Sequence, residues 1–218
     1  MHRVCLLIAV VLIMAGCATV ESPTTPPVTA AAASAALPPQ SIETPKNSVG
    51  DTWEYVRRDR ATYTMTIVEA SESGSVATVT SWPELRFHFD HDGTITKIEG
   101  EPSKVAPIAF FANSWKWLSF PLHVGKKWSF QAHGANAPFT VDVTVKKQTT
   151  VKTQAGTFEA LQIDTCWRNH SNNWSDCGYQ YWYAPSVKRI VKRETPNTWT
   201  SSLTNSDHEL VSYTLAGQ

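Results

Sequence analysis

Short runs in which apolar and polar side chains alternate constrain the fold of this chain more than any other feature. Over residues 84–90, Leu85, Phe87 and Phe89 fall on one side and Glu84, Arg86, His88 and Asp90 on the other. Successive strand side chains point to opposite faces, so this segment has one buried face and one wet one, as in an antiparallel sheet. Asp92-Gly93 is a strong hairpin turn pair, and residues 94–99 resume the pattern after it. Comparable runs cover 52–58, 62–72, 75–82, 128–131, 139–147, 149–153, 157–167, 179–183, 189–193 and 209–215, set apart by Gly, Pro, Asn and Asp. No stretch keeps helical periodicity over three turns, and only 108–118 leaves room for a short helix. The chain therefore reads as all-β: an antiparallel β-sandwich or a partly open barrel.

A weak internal repeat divides the β region. Val49-Gly50-Asp51-Thr52-Trp53-Glu54-Tyr55 recurs as Val124-Gly125-Lys126-Lys127-Trp128-Ser129-Phe130. In each copy a glycine allows a tight entry, and the Trp and the aromatic two residues on share one strand face. Two half-sheets, 48–122 and 123–218, are one reading of this pattern; chance similarity is the other.

The β pattern starts only at Ser48. Before it, Met1-His2-Arg3 gives a short positive start and residues 4–16 form an apolar run. As a helix that run spans about 20 Å, less than the roughly 30 Å of a membrane's hydrocarbon core, so it reads as a signal-peptide segment. It ends in Met14-Ala15-Gly16-Cys17. These residues resemble the lipobox of bacterial lipoproteins, with Met14 where leucine is commoner. The resemblance implies cleavage after residue 16, a diacylglycerol thioether on Cys17 and export to the outer membrane, Ala18 rather than aspartate following the cysteine. The plain alternative is an ordinary secretory signal with an incidental cysteine. Residues 17–47 then hold six of the chain's 13 prolines among Thr, Ser and Ala, with no aromatic residue. Such a composition buries too little apolar surface to order itself, and reads as a tether between lipid and domain.

Further on, Gly156-Thr157-Phe158 is followed by Tyr181-Trp182-Tyr183-Ala184-Pro185 and then Arg189-Ile190-Val191. The stretch from Val124 to Tyr213 resembles a group of uncharacterised β domains in bacterial exported proteins and lipoproteins. Members often carry glycine where this chain has Lys188. That resemblance brings no catalytic residue, ligand or cofactor with it.

Cys5 leaves with the signal and Cys17 takes the lipid, which leaves Cys166 and Cys177 as a pair. They lie where one strand ends and the next begins, suiting a disulfide across a hairpin base in an oxidising compartment. A metal site with His170 is the rival, but a Cys-x-x-Cys spacing is missing.

Zero formal net charge, 19 basic against 19 acidic residues, argues against a nucleic-acid partner. The densest ligand-type cluster, His88, Asp90, His91 and Asp92, reads as a solvated hairpin tip; alternation splits it between faces, and no metal or cofactor is expected. No nucleophile elbow, zincin, P-loop or dinucleotide motif occurs, so no catalytic residue is assigned. Lys188, Arg189, Lys192 and Arg193 read as a wet strand face, with anionic lipid heads or an acidic partner as the alternative. Trp115, Trp117, Trp167 and Trp174 lie in or beside loops. They are candidate contacts for a ligand or partner, or else they cover the open ends of the sheet.

The expectation is a lipid-anchored envelope protein of the outer membrane, facing the periplasm. Its β domain would be a non-enzymatic binding or structural module for another envelope protein, a wall polymer or a lipid. The alternatives are a carrier that encloses an acyl chain in a half-open β shell and, further off, an envelope hydrolase.

Overall fold

The computed structural model describes residues 41–100, 116–133, 138–169, 171, 174–195 and 207–217. Within them the strands are β1 (Thr52–Arg57), β2 (Thr62–Ser71), β3 (Gly74–Val79), β4 (Trp82–Asp90), β5 (Ile95–Glu99) and β6 (Lys127–His133). The rest are β7 (Pro138–Thr153), β8 (Gly156–Asn169), β9 (Trp174–Ala184), β10 (Arg189–Glu194) and β11 (His208–Thr214). All belong to one sheet, in the order β5-β4-β3-β2-β1-β11-β10-β9-β8-β7-β6, and every described pairing is antiparallel. The all-β class read from the sequence is the one adopted, as a single open antiparallel sheet rather than two packed half-sheets, and its end strands β5 and β6 do not close a barrel.

Alternation places these strands for a physical reason visible in β4. Leu85, Phe87 and Phe89 are buried, while Arg86, His88 and Asp90 between them stay partly exposed. The Asp92-Gly93 turn is fixed by Asp90, whose carboxylate accepts the Thr94 amide at 2.8 Å. The sequence pattern breaks 139–153 into two runs, but the structure joins them as β7. A bulge between Val145 and Lys147 inserts one residue and shifts the phase of the alternation without ending the strand. Of the segment with room for a short helix, 108–115 lies outside the described residues, and 116–118 is not helical.

Cross-strand partners define one continuous inner face. Ile98, Phe87, Ala77 and Ile67 follow one another across β5 to β2. Trp53 and Tyr55 continue it on β1, with Leu210 opposite Tyr55 on β11. Arg193, Tyr181, Ile163 and Val145 carry it across β10 to β7. The sheet curls about this face. Phe89 on β4 and Arg189 on β10 stand five strand steps apart, about 24 Å in a flat sheet, yet the Arg189 guanidinium carbon is 5.2 Å from the Phe89 ring.

Two cores result. The first gathers Trp53, Ile67, Phe87 and Phe89 with Trp182, Val191 and Leu210; the second gathers Val141, Val143, Val145, Ile163, Tyr181 and Tyr183. Trp117, Leu118, Phe120 and Leu122 lie against the second. The β7–β8 hairpin reaches β11, where Ala155 donates its amide to Leu210 O at 3.0 Å. Its Val151, Phe158 and Ala160 join the first core beside Trp182, so four consecutive residues, Tyr181 to Ala184, are buried on both faces. Ile42, which composition assigns to the tether, bridges Leu122 through two 2.8 Å backbone bonds.

The turns before β1 and β6 share one backbone design. Gly50 and Gly125 have φ of +93° and +88°, conformations that favour glycine. Gly50 N donates to Ile67 O and Ile67 N to Asp51 O, both at 2.9 Å; Gly125 N donates to Val145 O and Val145 N to Lys126 O, both at 2.9 Å. Ile67 and Val145 each precede a bulge. Lys188, where related-looking sequences carry glycine, takes the left-handed conformation itself (φ +60°) after a 3-10 turn at Pro185–Val187.

Candidate functional site

The ends of β1, β10 and β11 and the middle of β9 surround an open basin of about 730 Å³. Charged side chains dominate its wall, because this is where the apolar cores stop and the strands leave the sheet. Lys192 and Glu194 pair at 2.6 Å across β10's own alternation. Arg58 approaches Asp207 at 3.9 Å, and Thr195 donates to the same carboxylate. Glu209 accepts from the Gln154 amide of the β7–β8 turn at 2.7 Å. Arg57 is held by Asp59. Among the described residues, each carboxylate in and around the basin therefore has a hydrogen-bond or ion-pair partner.

Two arginines of β10 do not. The basic run 188–193 reads from sequence as a wet strand face, and the structure turns half of it inward. Arg189 lies with its guanidinium carbon 4.4 Å from the Trp53 ring and 5.2 Å from that of Phe89. Arg193 lies 5.5 Å from the Tyr181 ring and 6.0 Å from that of Tyr179. Among the described residues neither has an ion pair, and Arg189 Nε and Nη2 and Arg193 Nε are buried without an acceptor. Burial lowers the pKa of Arg189, partly offset by Tyr55, Tyr183 and Asp51. Alternation alone could not carry the signal: a bulge between Ile190 and Lys192 shifts the phase within β10, so that Arg189 stands opposite Ala184 and Arg193 opposite Tyr181.

Tyrosines wall this inner space. Tyr55 and Tyr63 stack at 5.2 Å, with the His208 ring edge-on to both at 5.1 and 6.0 Å. The Tyr55 hydroxyl donates to Ile190 O at 3.0 Å, whereas the Tyr183 hydroxyl oxygen is buried without a partner. Burial raises the pKa of Tyr55, Tyr63, Tyr179, Tyr181 and Tyr183, since the phenolate would lose its hydration.

The tryptophans singled out by their loop positions fall into one aromatic row. Trp117 is 5.8 Å from Trp167 and 5.1 Å from Tyr181, and Phe139 joins Trp167 at 6.2 Å to Trp174 at 6.3 Å. All three are partly buried; Trp115, and Cys17 with its expected lipid, lie outside the described residues. Cys166 and Cys177 are direct partners of β8 and β9 and form a disulfide. His170, the third group of the rival metal reading, also lies outside.

The 88–92 cluster is spent locally: His88 Nε2 meets Glu99 at 2.9 Å and His91 meets Asp92 at 3.2 Å. Among the described residues no three His, Cys, Asp or Glu side chains are placed to share a metal ion.

No protein-family model and no curated protein matches the chain. Among solved structures it is similar to an exported protein with a YmcC-like fold from Bacteroides fragilis, at 16% identity over 80% of this chain and 100% of that one, with a TM-score of 0.43. A lipoprotein from Parabacteroides distasonis is similar at 14% identity over 80% and 100%, with a TM-score of 0.40. The lipoprotein YmcC of Escherichia coli is similar at 9% identity over 81% and 90%, with a TM-score of 0.43.

Proposed function

We propose that the chain is a lipid-anchored envelope protein of the outer membrane whose curled sheet is a non-catalytic binding module, with the basin between the ends of β1, β10 and β11 and the middle of β9 as its ligand entrance. The anchor rests on Met14-Ala15-Gly16-Cys17. The module rests on one observation: an open basin of about 730 Å³ is lined by polar side chains, two of which, Arg193 and His208, also contact inner-face tyrosines. Its described lining holds no serine or cysteine to act as a nucleophile, and its carboxylates are engaged with cations or amides.

The acyl-carrier alternative needs an apolar cavity. The described inner face is instead filled by Trp53, Phe87, Phe89, Phe130 and Tyr183, which favours a packed core with a polar entrance. Native mass spectrometry of the full lipoprotein released from membranes tests the reading. A retained small molecule or peptide supports it. A bare protein mass, with no shift on adding envelope extract, would overturn it.

A further inference from the structure

The hairpin tip between β1 and β2 projects charge into the basin from a fixed frame. Arg58 donates its amide to Asp207 O at 3.0 Å, Arg60 donates to Arg57 O at 2.9 Å and Arg57 to Ala61 O at 2.8 Å. The Asp59 carboxylate accepts the Ala61 amide at 3.1 Å and pairs with Arg57. Residues 58–60 are all exposed. Arg60 holds a φ of +68°, a conformation in which glycine or asparagine is less strained than a long side chain. A turn selected for stability alone would carry one of those two residues, and strain kept at an exposed position points to a use for the side chain.

Both Arg58 and Arg60 line the basin, whose wall holds five arginine and lysine side chains against three carboxylates. Two of those cations are neutralised close by, Arg57 by Asp59 and Lys192 by Glu194. The Arg58 side chain is 56% exposed and stands 3.9 Å from Asp207, beyond hydrogen-bond reach. Arg60 has no carboxylate partner among the described residues. The tip therefore offers solvent two guanidinium groups whose charge is largely unspent. Across from them, the Gln180 side chain makes no hydrogen bond among the described residues, and Gly178 brings exposed main chain to the wall. Cations beside free amide groups fit a chain that carries both carboxylates and peptide bonds. A flat bilayer surface does not enter a concave basin, and a lone inorganic anion would leave most of its 730 Å³ unfilled.

We propose that the basin docks an acidic segment of a partner protein, with Arg58 and Arg60 taking its carboxylates and Gln180 one of its peptide groups. Guanidinium forks match carboxylate geometry, and exposed charges of this kind govern the encounter rate and the choice of partner more than raw affinity. The proposal rests on the binding reading above and narrows it to acidic peptides.

The test is fluorescence anisotropy of a fluorescein-labelled hexaglutamate peptide titrated with the full lipoprotein, in neutral detergent and low salt. A saturable rise is expected, absent with labelled hexaglutamine and lost as ionic strength climbs. Arg58→Gln and Arg60→Gln should each weaken binding about threefold, and the double variant about tenfold. Arg60→Asn separates binding from folding: it should weaken binding to the same degree without lowering the melting temperature, because asparagine relaxes the turn. Arg86→Gln, whose partner Glu69 lies outside the basin, should bind as wild type. No anisotropy change, equal binding of hexaglutamine, or wild-type binding by both Arg58→Gln and Arg60→Asn overturns the site. A preference for polygalacturonate over hexaglutamate overturns it too, by making the partner an acidic polysaccharide. If hexaglutamate fails while a molecule is retained in the mass spectrum, the acidic-peptide class falls and the binding reading stands. A bare mass with no anisotropy change removes both.

Discussion

The turn at 48–51 and the turn at 123–126 are built alike and loaded differently. Both begin with a left-handed glycine, exchange the same backbone bonds with the strand two places on, and lead into a tryptophan whose indole N–H finds a carbonyl. Trp53 reaches Val187 O at 2.7 Å and Trp128 reaches Lys116 O at 2.8 Å. The residue between glycine and strand separates them. Asp51 is fully buried and accepts from Ser48 N at 2.9 Å, Ala216 N at 2.8 Å and Lys188 Nζ at 3.0 Å. Lys126 is partly exposed and donates to the carbonyls of Ser119 and Pro121. One turn ties β1 to the chain's end and to the turn before β10. The other ties β6 only to the segment just before it. The same backbone unit thus serves as a central anchor in one half and as a local clasp in the other.

The largest test asks whether the halves come apart separately. Five of the six tyrosines have pKa values raised by burial, Tyr55 and Tyr63 in the first half and Tyr179, Tyr181 and Tyr183 in the second. A group whose pKa is raised on folding contributes stability that is intact below its unfolded value, about 10 for tyrosine, and lost as pH climbs through the folded value. Stability should therefore hold steady from neutral pH to about 10 and then fall to complete alkaline unfolding. Because Asp51 joins the halves through Lys188 and Ala216, and Tyr55 through Ile190, phenolate absorbance should rise in one step that includes all five. Two steps, three tyrosines and then two, would show the halves to be independent.

A smaller effect separates the two turns. Asp51→Asn removes the fully buried charge that Lys188 faces and should cost about 3 kcal/mol. Lys126→Met breaks bonds that solvent can replace in part, and should cost about 1 kcal/mol or less. Chemical denaturation of both variants measures the difference. Equal losses would mean that the turns carry equal load and that the asymmetry above is superficial.

What could be read from the sequence follows from what alternation encodes. It reports which side chains share a face, so the strands, the Asp92-Gly93 hairpin and the opposed Cys166 and Cys177 were all legible. It does not report phase shifts. The bulges at Ile67/Glu69, Val145/Lys147 and Ile190/Lys192 each insert one residue, which makes a continuous strand look like two or turns a basic residue inward. Nor does local pattern reveal curl, since that depends on contacts such as Phe89 with Arg189 between strands far apart in the sheet. The basin was invisible for the same reason: its residues come from three strand ends, the middle of a fourth strand and a hairpin turn. Its basic members resemble ordinary surface charge until pairing shows which acids are already taken.

The finest contrast lies between two inner tyrosines, one from each half, that present the same phenol to the same interior. The Tyr55 hydroxyl gives its proton to Ile190 O at 3.0 Å; that of Tyr183, on the next strand but two, has no partner. Removing a hydroxyl that makes a buried hydrogen bond strands the carbonyl it served, at about 1 kcal/mol. Removing one that makes none relieves an unmet desolvation. Tyr55→Phe should therefore lower stability by about 1 kcal/mol, and Tyr183→Phe should leave it unchanged or raise it by about 0.5 kcal/mol. Denaturant midpoints at equal slope resolve differences of this size. A loss in Tyr183→Phe matching that of Tyr55→Phe would mean that its hydroxyl finds an acceptor in solution, and the second half's inner face would then be as fully satisfied as the first.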